Sequence, residues 1–83
     1  MMLTIESANG SIVIKAQPYW TVGYLKLKAS ERIAKMDSMR TMALYDLVKE
    51  GNVLKNNETL HSNGVQEGDT LVFERKHNTV VHI

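Results

Sequence analysis

Two short runs of alternating apolar residues flank Asn9-Gly10, and they restrict the possible folds of this chain more than any other feature in it. Leu3 and Ile5, then Ile12, Ile14 and Ala16, recur at every second residue, the period that places side chains on one face of an extended segment. Between them lies Ser7-Ala8-Asn9-Gly10-Ser11. Asn-Gly is the strongest short hairpin signal, because both residues tolerate positive φ. The first two strands are therefore expected to pair as an antiparallel hairpin.

Pro18 ends the second strand, since it has no amide to give a ladder, and Thr21 follows as a helix N-cap whose hydroxyl can accept from a free backbone amide. A helix is expected from Val22. Val22, Leu25, Ala29, Ile33 and Met36 fall at spacings of three and four and form one apolar stripe, which should pack on the sheet, while Lys26, Lys28, Glu31 and Arg32 are assigned to the opposite side. Ser38-Met39-Arg40-Thr41-Met42 fits either a further helical turn or a connecting loop, and it is read as loop. Ala43 to Lys49 reads as a third strand. The Gly51-Asn52 turn signal leads into a short fourth at Val53-Leu54. Asn56-Asn57 marks another turn, Asn63-Gly64 a reversal, and Val65 a single apolar anchor. After Gly68-Asp69, Thr70 to Lys76 alternates as the last strand, with Leu71 and Phe73 facing inward.

With 83 residues, 43% of them hydrophobic and 23% charged, the chain has the balance of one small globular domain, with no deep interior for a large cofactor. It contains no cysteine, which excludes disulfides, thiolate metal sites and a cysteine nucleophile. A net charge of +1 does not suggest general nucleic-acid binding, which needs a clustered basic face. Lys26, Lys28, Arg32 and Lys35 read instead as a solvated helix face. No stretch approaches the roughly 20 apolar residues that span a bilayer, so no direct membrane insertion is expected, and the protein is read as soluble and cytoplasmic.

The order strand, strand, helix, strand, short strand, strand resembles the β-grasp arrangement, and GNVLKNNETLHSNGVQEGDTLVFERK from Gly51 to Lys76 resembles the matching part of ubiquitin without a gap. Thr21, Val22 and Leu25 resemble its helix cap and first core contacts. The resemblance implies an α+β, ubiquitin-like β-grasp domain over residues 1–76, with a mixed sheet of four to five strands packed on one helix and a tail at 77–83 that could add an edge strand. Ubiquitin-type conjugation uses a flexible C-terminal Gly-Gly, whereas this sequence ends KHNTVVHI, so neither a modifier nor a sulfur-carrier role is expected. The three positions of the ubiquitin recognition patch correspond to Ala8, Val48 and Glu74, and the carboxylate interrupts an apolar surface. A closer resemblance is to the small bacterial EsaB/YukD family, through Leu60, Gly64, Val65, Gly68, Asp69 and Leu71. That resemblance implies a non-conjugated accessory protein of a type VII (WXG100) secretion system that binds protein partners, with secretion components among them. The alternative is a small β-grasp subunit of another multiprotein complex, such as a multicomponent oxygenase.

No enzyme chemistry is expected. His61, His77 and His82 lie in the last third with Asp69 as the one nearby acid, fewer fixed ligands than a metal site needs. Asp46, Glu50, Glu58, Glu67 and Asp69 are spread over turns and strand edges without a pocket to shift them. No glycine loop has phosphate-binding spacing, and no cofactor is expected. The remaining candidates are protein-binding residues. Tyr19, Trp20 and Tyr24 gather near the helix start, and aromatics supply large rigid contact area, although Trp20 also suits a role capping the core. Met39 and Met42, with Met36, are three apart and would form an adaptable apolar ridge on a helix. Val80 and Val81 make the tail a segment that could pair with another chain.

Overall fold

The computed structural model describes residues 1–33 and 37–76. The expected hairpin forms from β1 (Met2–Ser7) and β2 (Gly10–Lys15), paired antiparallel from Met2↔Lys15 to Ser7↔Gly10. Its turn is not the Asn-Gly turn anticipated. Ala8 and Asn9 connect the strands, and Gly10 alone of this segment takes positive φ, at 120°. That conformation is disfavoured for any residue with a Cβ, so the glycine serves as the first residue of β2 and not as the second turn position. The Ser7 hydroxyl ties the turn, donating to the Gly10 carbonyl at 2.9 Å and accepting from the Asn9 amide at 3.2 Å.

α1 (Val22–Ile33) begins at its expected cap, with Thr21 Oγ1 accepting from the Tyr24 amide at 3.1 Å. Val22, Leu25 and Ala29 are fully buried and Ile33 packs against the same core, while Met36 and Lys35 lie outside the described residues. Lys26 departs from the expectation. It was assigned to the solvated side and is fully buried. It stands four residues after Val22 and three before Ala29, which places it beside the apolar stripe on a helix. Its ammonium donates to Asn56 Oδ1 at 3.1 Å.

Ser38 to Met42 is helix and not loop. α2 (Ser38–Leu44) is capped by Asp37, whose Oδ1 accepts from the Arg40 amide at 2.8 Å. The hydroxyl of the buried Thr41 donates to the Asp37 carbonyl at 3.0 Å, so its polar atom enters the interior satisfied. Among the described residues two helices therefore accompany the sheet where one was expected, and the third strand starts only at Tyr45 because Ala43 and Leu44 complete α2.

β3 (Tyr45–Lys49) reverses through Glu50 and Gly51, at φ of 51° and 82°, into β4 (Asn52–Val53). Leu54 lies beyond that two-residue strand and drops into the core. β5 (Thr70–Arg75) runs parallel to β1 and antiparallel to β3, giving the order β2-β1-β5-β3-β4. Among the described residues the result is a small α+β fold with a mixed five-stranded sheet and two helices, compatible with a β-grasp-like arrangement. Leu3, Ile5, Leu25, Leu47, Leu60 and Leu71 are fully buried between sheet and helix, and Phe73 and Val65 join them.

The Gly-Asp turn seats β5 beside β1. The Gly68 amide donates to the Met2 carbonyl at 2.9 Å and the Thr4 amide to the Asp69 carbonyl at 3.0 Å. Lys49 closes the same corner from the end of β3, reaching the Gly64 carbonyl at 2.6 Å and Asp69 Oδ2 at 2.9 Å.

Candidate functional site

The segment between β2 and α1 is rigid because a second loop is hydrogen-bonded along it. The Trp20 carbonyl accepts from the Leu60 amide at 2.8 Å and the Pro18 carbonyl from the His61 amide at 3.0 Å, while Thr21 pairs with Thr59 in an isolated bridge. The first amides of α1 then turn to the same loop, Val22 to the Glu58 carbonyl and Gly23 to the Asn56 carbonyl, both at 2.9 Å. A helix start leaves such amides without intrahelical partners, and here the loop supplies them.

Three aromatics project from this frame. Trp20 packs partly on the core, as its capping role required. Its ring meets Tyr24 edge-on, with centroids 4.7 Å apart and planes at 81°, an arrangement favoured by the ring quadrupoles. The Lys28 ammonium sits 5.4 Å from the centroid of Tyr24, within cation–π range. Tyr19 is 74% exposed and Tyr24 is also exposed. The structure thus brings Tyr19, Trp20 and Tyr24 to one end of α1, with two of the three rings open to solvent.

The methionine ridge divides. Met39 is 81% exposed on α2. Met42 turns inward over Gly23, where a Cβ added to the glycine would stand 3.1 Å from the Met42 Cε. Val80 and Val81 lie outside the described residues, as do His77 and His82. Tyr45, stacked on Phe73 with centroids 4.7 Å apart, lines an open groove of about 520 Å³ between the β1–β2 turn and Ile33.

Asp69, considered beside the histidines, is committed to its turn. It accepts from the Gln66 amide at 2.8 Å as well as from Lys49, and these contacts, the Gln66 amide first, hold its carboxyl below the usual carboxylate range. His61 is exposed. Among the described residues, no group of three or more His, Cys, Asp or Glu side chains could hold a metal ion, and no helix is long and apolar enough to cross a membrane.

Residue reading did not single out three contacts: Lys49 with Gly64 and Asp69, Lys26 with Asn56, and Arg32 Nη1 donating to the Val13 carbonyl at 2.9 Å. Spacing on α1 places Lys26 beside the apolar stripe, but nothing in the sequence signals its partner or the other two contacts. Neither the protein-family models nor the curated proteins contain a match to this chain.

Proposed function

We propose that this chain is a non-conjugated, ubiquitin-like protein-binding module that works in the cytoplasm as an accessory component of a bacterial type VII secretion system. The observation that carries the binding role is the aromatic group at the start of α1. Tyr19 and Tyr24 are exposed on a segment held by backbone hydrogen bonds, so the main chain that carries them is already ordered when a partner covers them. Rigid aromatic area of this kind is what interface hot spots use. The finer reading rests on the resemblance of Leu60, Gly64, Val65, Gly68, Asp69 and Leu71 to the EsaB/YukD pattern, and the mixed α+β architecture is in keeping with it.

The test is affinity capture from the native host's lysate, comparing the wild type with Tyr19→Ser/Tyr24→Ser, whose altered side chains are exposed and leave the core intact. Secretion-system proteins retained by the wild type and lost with the variant are the expected result. Equal retention by both removes the aromatic group from the interface. A covalent adduct, or an activating enzyme in the eluate, returns the chain to the modifier class.

A further inference from the structure

β2 is an edge of the sheet, and among the described residues no strand pairs with its outer side. Register shows which of its backbone groups face outward. Met1 and Ala16 exchange both hydrogen bonds, at 2.6 Å and 2.7 Å, and in an antiparallel ladder bonded and non-bonded pairs alternate. Leu3↔Ile14 and Ile5↔Ile12 are accordingly the bonded pairs, and Lys15, Val13 and Ser11, opposite Met2, Thr4 and Glu6, are not bonded to β1. The amides and carbonyls of Ser11, Val13 and Lys15 therefore point away from the sheet. Among the described residues one of them is taken: the Val13 carbonyl accepts from Arg32 Nη1.

We propose that this edge binds an extended acidic peptide as a sixth strand, and that Arg32 is a guard which the peptide's carboxylate draws off the Val13 carbonyl. An open edge offers its unpaired groups to any strand, and a guanidinium lying across the middle of three rungs blocks that. The surrounding charge selects the peptide. Lys15 lies on the edge itself, and Lys28 stands one helical turn before Arg32 on the same flank of α1. Among the residues paired with this edge the one acid is Glu6, opposite Ser11 at the turn end; at the other end Lys15 and the Met1 ammonium, which bonds the Ala16 carbonyl, face a single carboxylate, Glu67, which accepts from the Met2 amide on the far side of β1. A carboxylate offers Arg32 a charge-assisted, bidentate partner in place of a neutral carbonyl, so an acidic strand compensates for the displaced bond. A neutral or basic strand does not, and selectivity follows from that difference. Val13, 51% exposed, supplies an apolar contact for alternate residues of the incoming strand.

The probe is a blocked six-residue peptide of alternating Glu and Val, with Lys/Val and Gln/Val peptides as controls, titrated into the isotope-labelled full chain. Binding of the Glu/Val peptide should slow hydrogen exchange at the amides of Ser11, Val13 and Lys15 and weaken as salt is added. Arg32→Glu, at an exposed position, should lower that affinity by at least about tenfold and transfer the preference to the Lys/Val peptide. Val13→Pro, which removes one outward amide, should abolish binding, its native-like spectrum showing that the fold persists. Equal binding of all three peptides overturns the proposal, and so does binding without protection of the three amides. Protection that grows with protein concentration alone overturns it in favour of a second copy. A response confined to Tyr19, Trp20 and Tyr24 also overturns it, while leaving the aromatic surface standing.

Discussion

Lys26 is the residue whose replacement tests the packing most sharply. Its side chain is fully buried, and among the described residues its ammonium has one hydrogen bond, to Asn56 Oδ1. Burial lowers its pKa from the ordinary lysine value, Asp46 partly offsets that, and Lys76 adds to it. Lys26→Met keeps an unbranched chain in the same space and removes the charge. The lost hydrogen bond, from a charged donor, contributes about 2 kcal/mol, and the half-buried Asn56 can turn to water, so no polar group is orphaned. Removing a buried charge relieves a desolvation cost of several kcal/mol that one neutral partner compensates only in part. The Met variant should therefore be at least as stable as the wild type, by about 1 kcal/mol where the relief dominates. Lys26→Ala loses the same charge and also three buried chain atoms beyond Cβ. At about 0.8 kcal/mol for each, plus a residual cavity, it should fall about 2–3 kcal/mol below the Met variant.

Urea unfolding at neutral pH measures both differences, and repeating it toward pH 10.5 checks the electrostatic part. Because the folded pKa is lowered, the folded state releases the Lys26 proton first, while the unfolded chain keeps its proton up to the ordinary value of 10.5. Between those two points the unfolded state binds more protons, so wild-type stability rises with pH relative to the Met variant. A Met variant as unstable as the Ala variant, or a wild-type-to-Met difference flat across that range, would refute the reasoning.

Three further outcomes are expected. Gly23→Ala, which in an exposed helix interior gains about 1 kcal/mol, should here lower the melting temperature, because the new Cβ would stand 3.2 Å from the Asn56 carbonyl that the Gly23 amide itself holds; a higher melting temperature contradicts this. The depressed pKa of Asp69 gives a stabilising contribution that is present above its ordinary value of 3.8 and lost as pH falls through the lower folded value. Asp69→Asn and Lys49→Met should each weaken the fold at pH 7 and flatten its acid unfolding curve, and an acid limb identical to the wild type's counts against the Lys49 corner. Asp46 and Glu74 are directly opposite on β3 and β5, a like-charge pair that costs sheet stability. Glu74→Thr should raise the unfolding free energy by about 0.5 kcal/mol, and a loss would show that the carboxylate has a partner of its own.

Sequence alone determined whatever depends on neighbours close along the chain. Period-two alternation placed Leu3, Ile5, Ile14, Leu71 and Phe73 on the buried face, because strand geometry leaves no other way to bury them together. Thr21 was legible as a cap because its partner amide is three residues away. The aromatic group could be read as a cluster because its three members span six residues. α2 was missed because seven residues give too little periodicity to tell helix from loop, leaving the Asp37 cap as its signal. Tertiary structure alone decided what depends on distant segments meeting. Lys26 can be buried because Asn56, thirty residues away, arrives to accept a hydrogen bond from its ammonium. Lys49 closes the last turn because β3 ends beside Gly64 and Asp69. Arg32 covers β2 because sheet order makes that strand an edge and helix packing brings the guanidinium within reach of its carbonyl. Side-chain chemistry along the chain names which groups need partners, but only the packed fold decides which of them meet, because those contacts join segments far apart in sequence.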